Sequence, residues 1–460
     1  MKKRTTCLEA SSFRDPDGFV FFVDNEIYRQ INQKAREDFD FLIGSGLYRK
    51  LVGKELLIPH TEIISKKMLS KNGYKIIKPQ PIPFISYPYE WSFSQLKDAA
   101  LLTLEVQEIA LENQMTLKDA SAYNIQFIGC KPIFIDTLSF EKYNEGTPWI
   151  AYRQFCQHFL APLSLMAYRE PRLNLLLRIF LDGIPLDLAS RLLPLVTKLN
   201  FSLLVHIHLH AINQKRMAAK KIKKERYKIS KFQMLSLINN LKSIIMKLKL
   251  KNYQTEWRDY YHFTNYTKAA FEQKKSQVSE FLDQIKPKTV LDLGANEGIF
   301  SQIACQRGAY TIACDVDPLS VEKTYLEDKK RQNKRLLPLM VDLTNPTPSL
   351  GWANAERKSF NQRAKADCVI ALALIHHLAI SNNLPLFLIA QYFAGLGDYL
   401  IIEFVPKEDS NVQILLQNRE DIFSEYSEEG FKKAFGEFFQ IIETKNIKDS
   451  KRIIYLMKRK

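Results

Sequence analysis

At 460 residues the chain is long enough for two or three domains, and its 46% hydrophobic and 25% charged residues exclude a wholly disordered or fibrous protein. Its six cysteines, Cys7, Cys130, Cys156, Cys305, Cys314 and Cys368, contain no C-x-x-C pair, so they read as reduced core residues rather than a disulfide framework. Of the formal charge of +16, residues 211–260 carry +11, with 11 lysines and 3 arginines against 2 glutamates and 1 aspartate, which places most of the excess in one connector.

Met1-Lys2-Lys3-Arg4-Thr5 is followed by no apolar stretch, and nowhere do 18 apolar residues run unbroken. The expectation is a cytoplasmic protein with no secretory signal and no transmembrane segment. Three regions separate by composition: 1–146 is α+β, 147–252 is helical and includes the basic connector, and 253–460 is α/β.

In the first region Asp15-Pro16-Asp17-Gly18 is a strong turn signal next to the β-rich run Phe19-Val20-Phe21-Phe22-Val23. The pattern predicts a hairpin around Asp15 to Ile27, a helix near Ile31 to Leu42, an extended run at Ile82 to Tyr87 and a helix from Ser92 to Glu112. Leu117-Lys118-Asp119-Ala120-Ser121-Ala122-Tyr123-Asn124 follows, then Pro132-Ile133-Phe134-Ile135-Asp136. Asp119 and Asn124 have D-x-x-x-x-N spacing, and Asp136 stands where a metal-binding aspartate follows a short hairpin. Over about 20 residues this stretch resembles the catalytic segment of the protein-kinase and aminoglycoside-phosphotransferase superfamily. The resemblance implies a reduced kinase-like lobe with Asp119, Asn124 and Asp136 as its loop residues. Leu117-Lys118 replaces the histidine and arginine of that pattern, Thr137-Leu138 follows Asp136 in place of Phe-Gly, and neither a glycine-rich phosphate loop nor a nucleotide lysine is identified.

The second region has Leu-rich stretches broken at Gly183-Ile184-Pro185 and Leu193-Pro194. His206, His208 and His210 alternate, but on a helix only His206 and His210 share a face, so no metal is expected. Met234, Ile238, Leu241, Ile245 and Leu248 recur at helical spacing with Lys242, Lys247, Lys249 and Lys251 around them. That predicts an inter-domain helix with a solvated basic face; RNA or an anionic surface is the alternative partner of the 211–260 segment.

The third region alternates apolar runs with helical segments, the pattern of a parallel sheet covered by helices. The runs are Pro287 to Leu293, Tyr310 to Cys314, Leu337 to Val341, Asp367 to Leu374 and Tyr399 to Phe404. In an open α/β sheet the ligand lies beyond the carboxyl ends of the strands. Gly294-Ala295-Asn296-Glu297-Gly298, Asp315, Asp342 and Ile375-His376-His377-Leu378 close successive runs and should share one crevice. Asp292 would repel an anionic pyrophosphate and attract a sulfonium and an ammonium, and G-x-x-x-G lacks the middle glycine of the dinucleotide fingerprint.

In the ordered motifs DLGANEG, CDVDP, MVDL and ALALIHHL, residues 253–460 resemble the class I S-adenosylmethionine-dependent methyltransferases. The resemblance implies a Rossmann-like, doubly wound sheet. It implies that Asp292, Gly294 and Gly298 cradle the methionine part of the cofactor, that Asn296 belongs to the same cofactor-binding loop, that Asp315 holds the ribose hydroxyls, and that Asp342 holds the adenine amine. Asn296 stands where this family commonly has glycine. His376 and His377 are candidate bases for a proton on the acceptor. Glu403 to Asp409 reads as an exposed acidic loop, with shaping of the acceptor pocket as the alternative, and Trp257, Tyr260, Tyr261 and Tyr266 as core packing or as a cover for the site.

The expected function is methyl transfer from S-adenosylmethionine to an O or N atom, without a metal. A small-molecule acceptor is favoured, because no Asn-Pro-Pro-Tyr type of signature follows the fourth run. The alternatives are an RNA or protein methyltransferase, and a non-catalytic scaffold with a degenerate kinase-like N-terminal domain.

Overall fold

The computed structural model describes residues 6–64, 70–210, 228–251, 266–417 and 419–460. Trp257, Tyr260 and Tyr261, and much of the basic 211–260 segment, lie outside them. The chain forms two compact units. Unit 1 comprises Met1–Ile128, Pro132–Asn252 and Ser349–Arg357; unit 2 comprises Gly129–Lys131, Tyr253–Pro348 and Lys358–Lys460.

Unit 1 contains an antiparallel sheet of Thr6–Leu8 (β1), Gly18–Val23 (β2), Glu26–Asn32 (β3), His60–Ile63 (β4) and Gly73–Pro79 (β5), in the order β1-β2-β3-β5-β4. β2 and β3 meet at Asp24-Asn25, whose φ values of 49° and 67° are those of a two-residue hairpin turn that Asp and Asn tolerate. The first helix, α1, spans Arg36–Gly44 and starts later than the pattern predicts, because Ile31 is fully buried within β3. Ile82 to Tyr87 is no strand: Pro81, Pro83 and Pro88 remove the donors a ladder needs, and the sheet takes β5 instead. Leu47–Gly53 forms α2. Phe93–Glu112 (α3) starts at a capping box in which Ser92 and Gln95 bond each other's backbone. Met115–Leu117 (β6) pairs with Phe140–Lys142 (β9), and Ile125–Ile128 (β7) forms a hairpin with Lys131–Phe134 (β8).

The helix Lys231–Lys247 buries Met234, Ile238, Leu241, Ile244 and Ile245 and packs against α3. Its basic face is only partly solvated, which corrects the expectation for Lys242: that residue pairs with Glu108 of α3. Lys97 of α3 donates to the carbonyls of Met246 and Leu248 at 2.9 and 2.8 Å. His206 bonds Tyr152 and Asn240, and His208 bonds Ser190 and Thr197, all within 2.9 Å, so both rings are spent on neutral core contacts.

Unit 2 is built on seven strands: Thr289–Leu293 (β10), Tyr310–Asp315 (β11), Leu336–Met340 (β12), Ala366–Ala371 (β13), Gly397–Phe404 (β14), Phe439–Asn446 (β15) and Ile453–Arg459 (β16). Their order is β12-β11-β10-β13-β14-β16-β15. The first five are parallel, while β16 runs antiparallel to both β14 and β15. Strand order reverses direction at β10, which opens a crevice beyond the carboxyl ends of β10 and β13. The parallel strands are nearly continuous apolar runs because helices cover both faces, whereas edge strand β15 alternates between buried or half-buried and exposed residues. This is the class I methyltransferase fold that the motifs predict. Among the described residues no helix is long and apolar enough to cross a membrane.

Candidate functional site

A cavity of about 500 Å³ lies at the carboxyl ends of the parallel strands of unit 2. The structure brings Asp292, Gly294, Asn296, Asp315, Asp342 and His377 to its wall. Gly298 does not line it. It caps the helix Ile299–Gln306 at φ 71°, and a Cβ there would stand 2.8 Å from Thr324 Cγ2, so both conformation and space demand glycine.

Asn296 takes φ 47°, a left-handed backbone that asparagine adopts more readily than most residues. Its side-chain oxygen accepts from the Glu297 N–H at 2.8 Å, and its own N–H donates to Asp315 at 2.7 Å. The turn after β10 is thereby tied to the end of β11. Asp342 is exposed and accepts from the Thr344 N–H and hydroxyl at 2.9 and 2.6 Å.

Among the described residues neither inner carboxylate forms an ion pair. Burial pushes Asp292 up to about 7, against the Ser301 hydroxyl that donates to it at 2.5 Å, and nearby Asp315 adds to the rise. Burial likewise raises Asp315 to about 6, although the N–H groups of Asp317 and Asn296 donate to it. A site holding two such carboxyls favours a cationic ligand, and the cavity's remaining wall includes the apolar side chains of Val316, Leu343, Leu372 and Leu374. Charge, shape and donor set fit S-adenosylmethionine.

Of the two candidate bases, the structure brings only His377 to the cavity. His376 is fully buried and does not line it; its ring centroid lies 4.1 Å from that of His377. That corrects the pairing of the two as equivalent bases, and the cause is the helical turn starting at His377, which sends successive side chains in different directions. Burial, with the charge of Arg452 added, lowers His377 to about 4 and keeps it neutral near pH 7.

Glu403 is not part of an exposed acidic loop. It sits within β14, fully buried, and accepts from Lys274 at 2.6 Å, from the Ala373 N–H at 2.8 Å and from the Tyr266 hydroxyl. Arg452 approaches it at 3.7 Å and holds Asp409 through two bonds of 2.7 and 3.0 Å. Burial pushes Glu403 up, yet Lys274 and Arg452 outweigh it and hold the carboxyl below its ordinary value. Sequence reasoning missed this cluster, though its signals were present. Lys274 interrupts the buried stripe Ala270, Val278, Phe281 and Leu282 of the helix Lys268–Ile285, and Glu403 interrupts the run Leu400-Ile401-Ile402.

In unit 1 the structure brings Asp119, Asn124 and Asp136 together. Ser139 accepts from Asn124 at 3.0 Å and donates to Asp136 at 2.6 Å, and hydrogen bonding with Asn124 and Gln154 moderates the rise that burial imposes on Asp119. Arg29 of β3 pairs with Asp136 and reaches Asp15 at 3.2 Å, while Lys118 pairs with Asp17. Burial pushes Asp136 up, but Arg29 and the bonds from Ser139 and Leu138 hold it below its ordinary value. Arg29 stands on a sheet strand beside the loop aspartates, the cation that the sequence pattern did not identify. Among the described residues no group of three His, Cys, Asp or Glu side chains is placed to hold a metal.

No family model matches the chain. Nodulation protein NoeA of Rhizobium meliloti (strain 1021) is 35% identical to it, over 98% of this chain and 96% of that protein. The chain belongs to the NoeA family. Fold neighbours of this NoeA family member include the magnesium protoporphyrin IX methyltransferase of Synechocystis PCC 6803, solved with S-adenosylhomocysteine, at TM-score 0.32, 18% identity and coverage of 44% of this chain and 93% of that one. The N-methyltransferase NodS of Bradyrhizobium japonicum WM9 has TM-score 0.31, 9% identity and coverage of 42% and 97%. The bifunctional kinase-methyltransferase WbdD has TM-score 0.31, 15% identity and coverage of 40% and 39%. The fold assignment of unit 2 stands on its own strand order.

Proposed function

We propose that unit 2 binds S-adenosylmethionine and transfers its methyl group to an O or N atom of an acceptor, with a small molecule favoured. The observation that carries this reading is the cavity with cation-seeking Asp292 and Asp315 at the ends of β10 and β11 and no phosphate fingerprint. When bound, the cofactor supplies an already activated methyl group. Asp292, Gly294 and Asn296 would hold its methionine part, Asp315 its ribose and Asp342 its adenine. His377, neutral and on the cavity wall, would take the acceptor's proton.

Unit 1 is read as the part that selects or presents the acceptor on a kinase-like scaffold in which Arg29 pairs with Asp136 and Asp15, and Lys118 with Asp17. Nodulation is the process named for the rhizobial relative, and a share in it is proposed for this chain. The test incubates purified protein with methyl-labelled S-adenosylmethionine and cell extract, and follows label into small molecules, RNA and protein. Label in the small-molecule fraction, lost in His377→Gln, supports the reading; label confined to RNA or protein moves it to those acceptors. Cofactor binding without transfer on any extract would favour the scaffold reading.

A further inference from the structure

The cavity of unit 2 carries one buried cation on its wall, Lys274, only 3% exposed. Its ammonium lies 4.9 Å from the ring centroid of Tyr266 and 5.2 Å from that of Phe300, two aromatic rings that also line the cavity. A free positive charge there would oppose any cationic ligand. Glu403 stands directly behind it at 2.6 Å and does not itself line the cavity.

We propose that Glu403 is a specificity-determining residue: by neutralising Lys274 at the cavity wall, it removes a repulsion that would act on the sulfonium of S-adenosylmethionine but not on the neutral thioether of the demethylated product, and so raises the site's preference for the sulfonium relative to a wall with Lys274 unpaired. This rests on the cofactor reading above. A buried ion pair gives little net stability, because desolvating both charges offsets their attraction, so stability alone does not account for the pair. The placement does. Glu403 also receives the Ala373 N–H and the Tyr266 hydroxyl, and Ala373 holds a left-handed backbone at φ 49° on the wall. One carboxylate therefore sets the charge of the wall and anchors three of its residues. Arg452 is a second cation near Glu403, but Asp409 holds it through two bonds; Lys274 also feels Asp292 through space, yet Glu403 is the carboxylate that bonds it.

The test is calorimetric binding of S-adenosylmethionine and S-adenosylhomocysteine to the full chain, in wild type, Glu403→Gln, Lys274→Met and the double variant. Glu403→Gln should lose about tenfold or more in affinity for the sulfonium and less than about threefold for the thioether. Adding Lys274→Met should restore the sulfonium preference. Equal losses for both ligands, or a double variant no better than Glu403→Gln, would overturn the proposal. If Glu403→Gln fails to fold, Lys274→Met alone decides: the preference for the sulfonium should rise, and an unchanged ratio overturns the idea. Wild-type protein that binds neither ligand would remove the cofactor reading itself, a result distinct from loss of discrimination.

Discussion

Asp136 of unit 1, half-buried, and Asp292 of unit 2, buried, are carboxylates near the end of a β-strand, yet they end in opposite electrostatic states. Asp136 meets Arg29 from its own unit and is held below its ordinary value. Among the described residues Asp292 forms no ion pair; burial and the repelling neighbour Asp315 outweigh the Ser301 hydroxyl and the through-space pull of Lys274, and it rises to about 7. The lesson is that residue type does not make a binding site; an unmet charge does. In unit 1 the anion Asp136 is met by Arg29, whereas the crevice of unit 2 leaves Asp292 and Asp315 without an ion pair for a ligand to meet.

The largest effect expected from this contrast is in unit 1. Arg29→Ala leaves the half-buried Asp136 without its cation and should destabilise the unit by about 2 to 3 kcal/mol, read as faster hydrogen exchange at the amides of β3 and β5. Adding Asp136→Asn should recover part of that loss, since no unpaired charge then remains. Wild-type exchange in Arg29→Ala would break the contrast. In unit 2, Asp315→Ala should weaken S-adenosylmethionine binding by about 10-fold to 100-fold, the size of lost hydrogen bonds to a charged group. Unchanged calorimetric affinity would remove Asp315 from the site.

The contrast also predicts a pH dependence of definite sign. A carboxyl raised in the folded state adds stability below its unfolded value, and this is lost as pH rises through the folded one. Unliganded protein should therefore lose stability from about pH 4, the ordinary carboxyl value, to about pH 7, as the raised Asp315 at about 6 and Asp292 at about 7 ionise. A cationic ligand needs those carboxylates ionised, so its affinity should rise by about tenfold from pH 6 to pH 8. A flat affinity profile would mean that neither carboxylate meets the ligand's charge. The smallest effect concerns the loop. Asn296→Gly should leave cofactor affinity within about threefold, while Asn296→Val should lower stability by about 1 to 2 kcal/mol, because a β-branched residue resists φ 47°. Equal thermal stability of the two variants would show that the left-handed turn is not needed.

Much of unit 2 was legible because its signals are local. Val290-Leu291 and Leu336 to Met340 are apolar runs bounded by Gly or Asp, and buried parallel strands need little else to declare themselves. β15 and β16 went unread: Lys445, Lys458 and Arg459 break their apolar pattern, and the antiparallel pairing joins residues far from the parallel core. In unit 1 the kinase-like loop declared three residues through spacing. Arg29 remained hidden, since its 107-residue separation from Asp136 leaves no local trace.

By itself the sequence determined the parallel sheet, the glycine and asparagine turn after its first strand, and the aspartates that close its strands. These depend on residues within a few positions of one another, where sterics and apolar periodicity act directly. Tertiary structure alone decided that His377 reaches the cavity while His376 does not, that Glu403 lies inside a strand with Lys274 and Arg452 around it, and that Asp136 is neutralised by Arg29. Burial and charge pairing are set by neighbours distant in the chain, and whether a carboxylate waits for a ligand or has already found a partner is fixed only when those neighbours arrive.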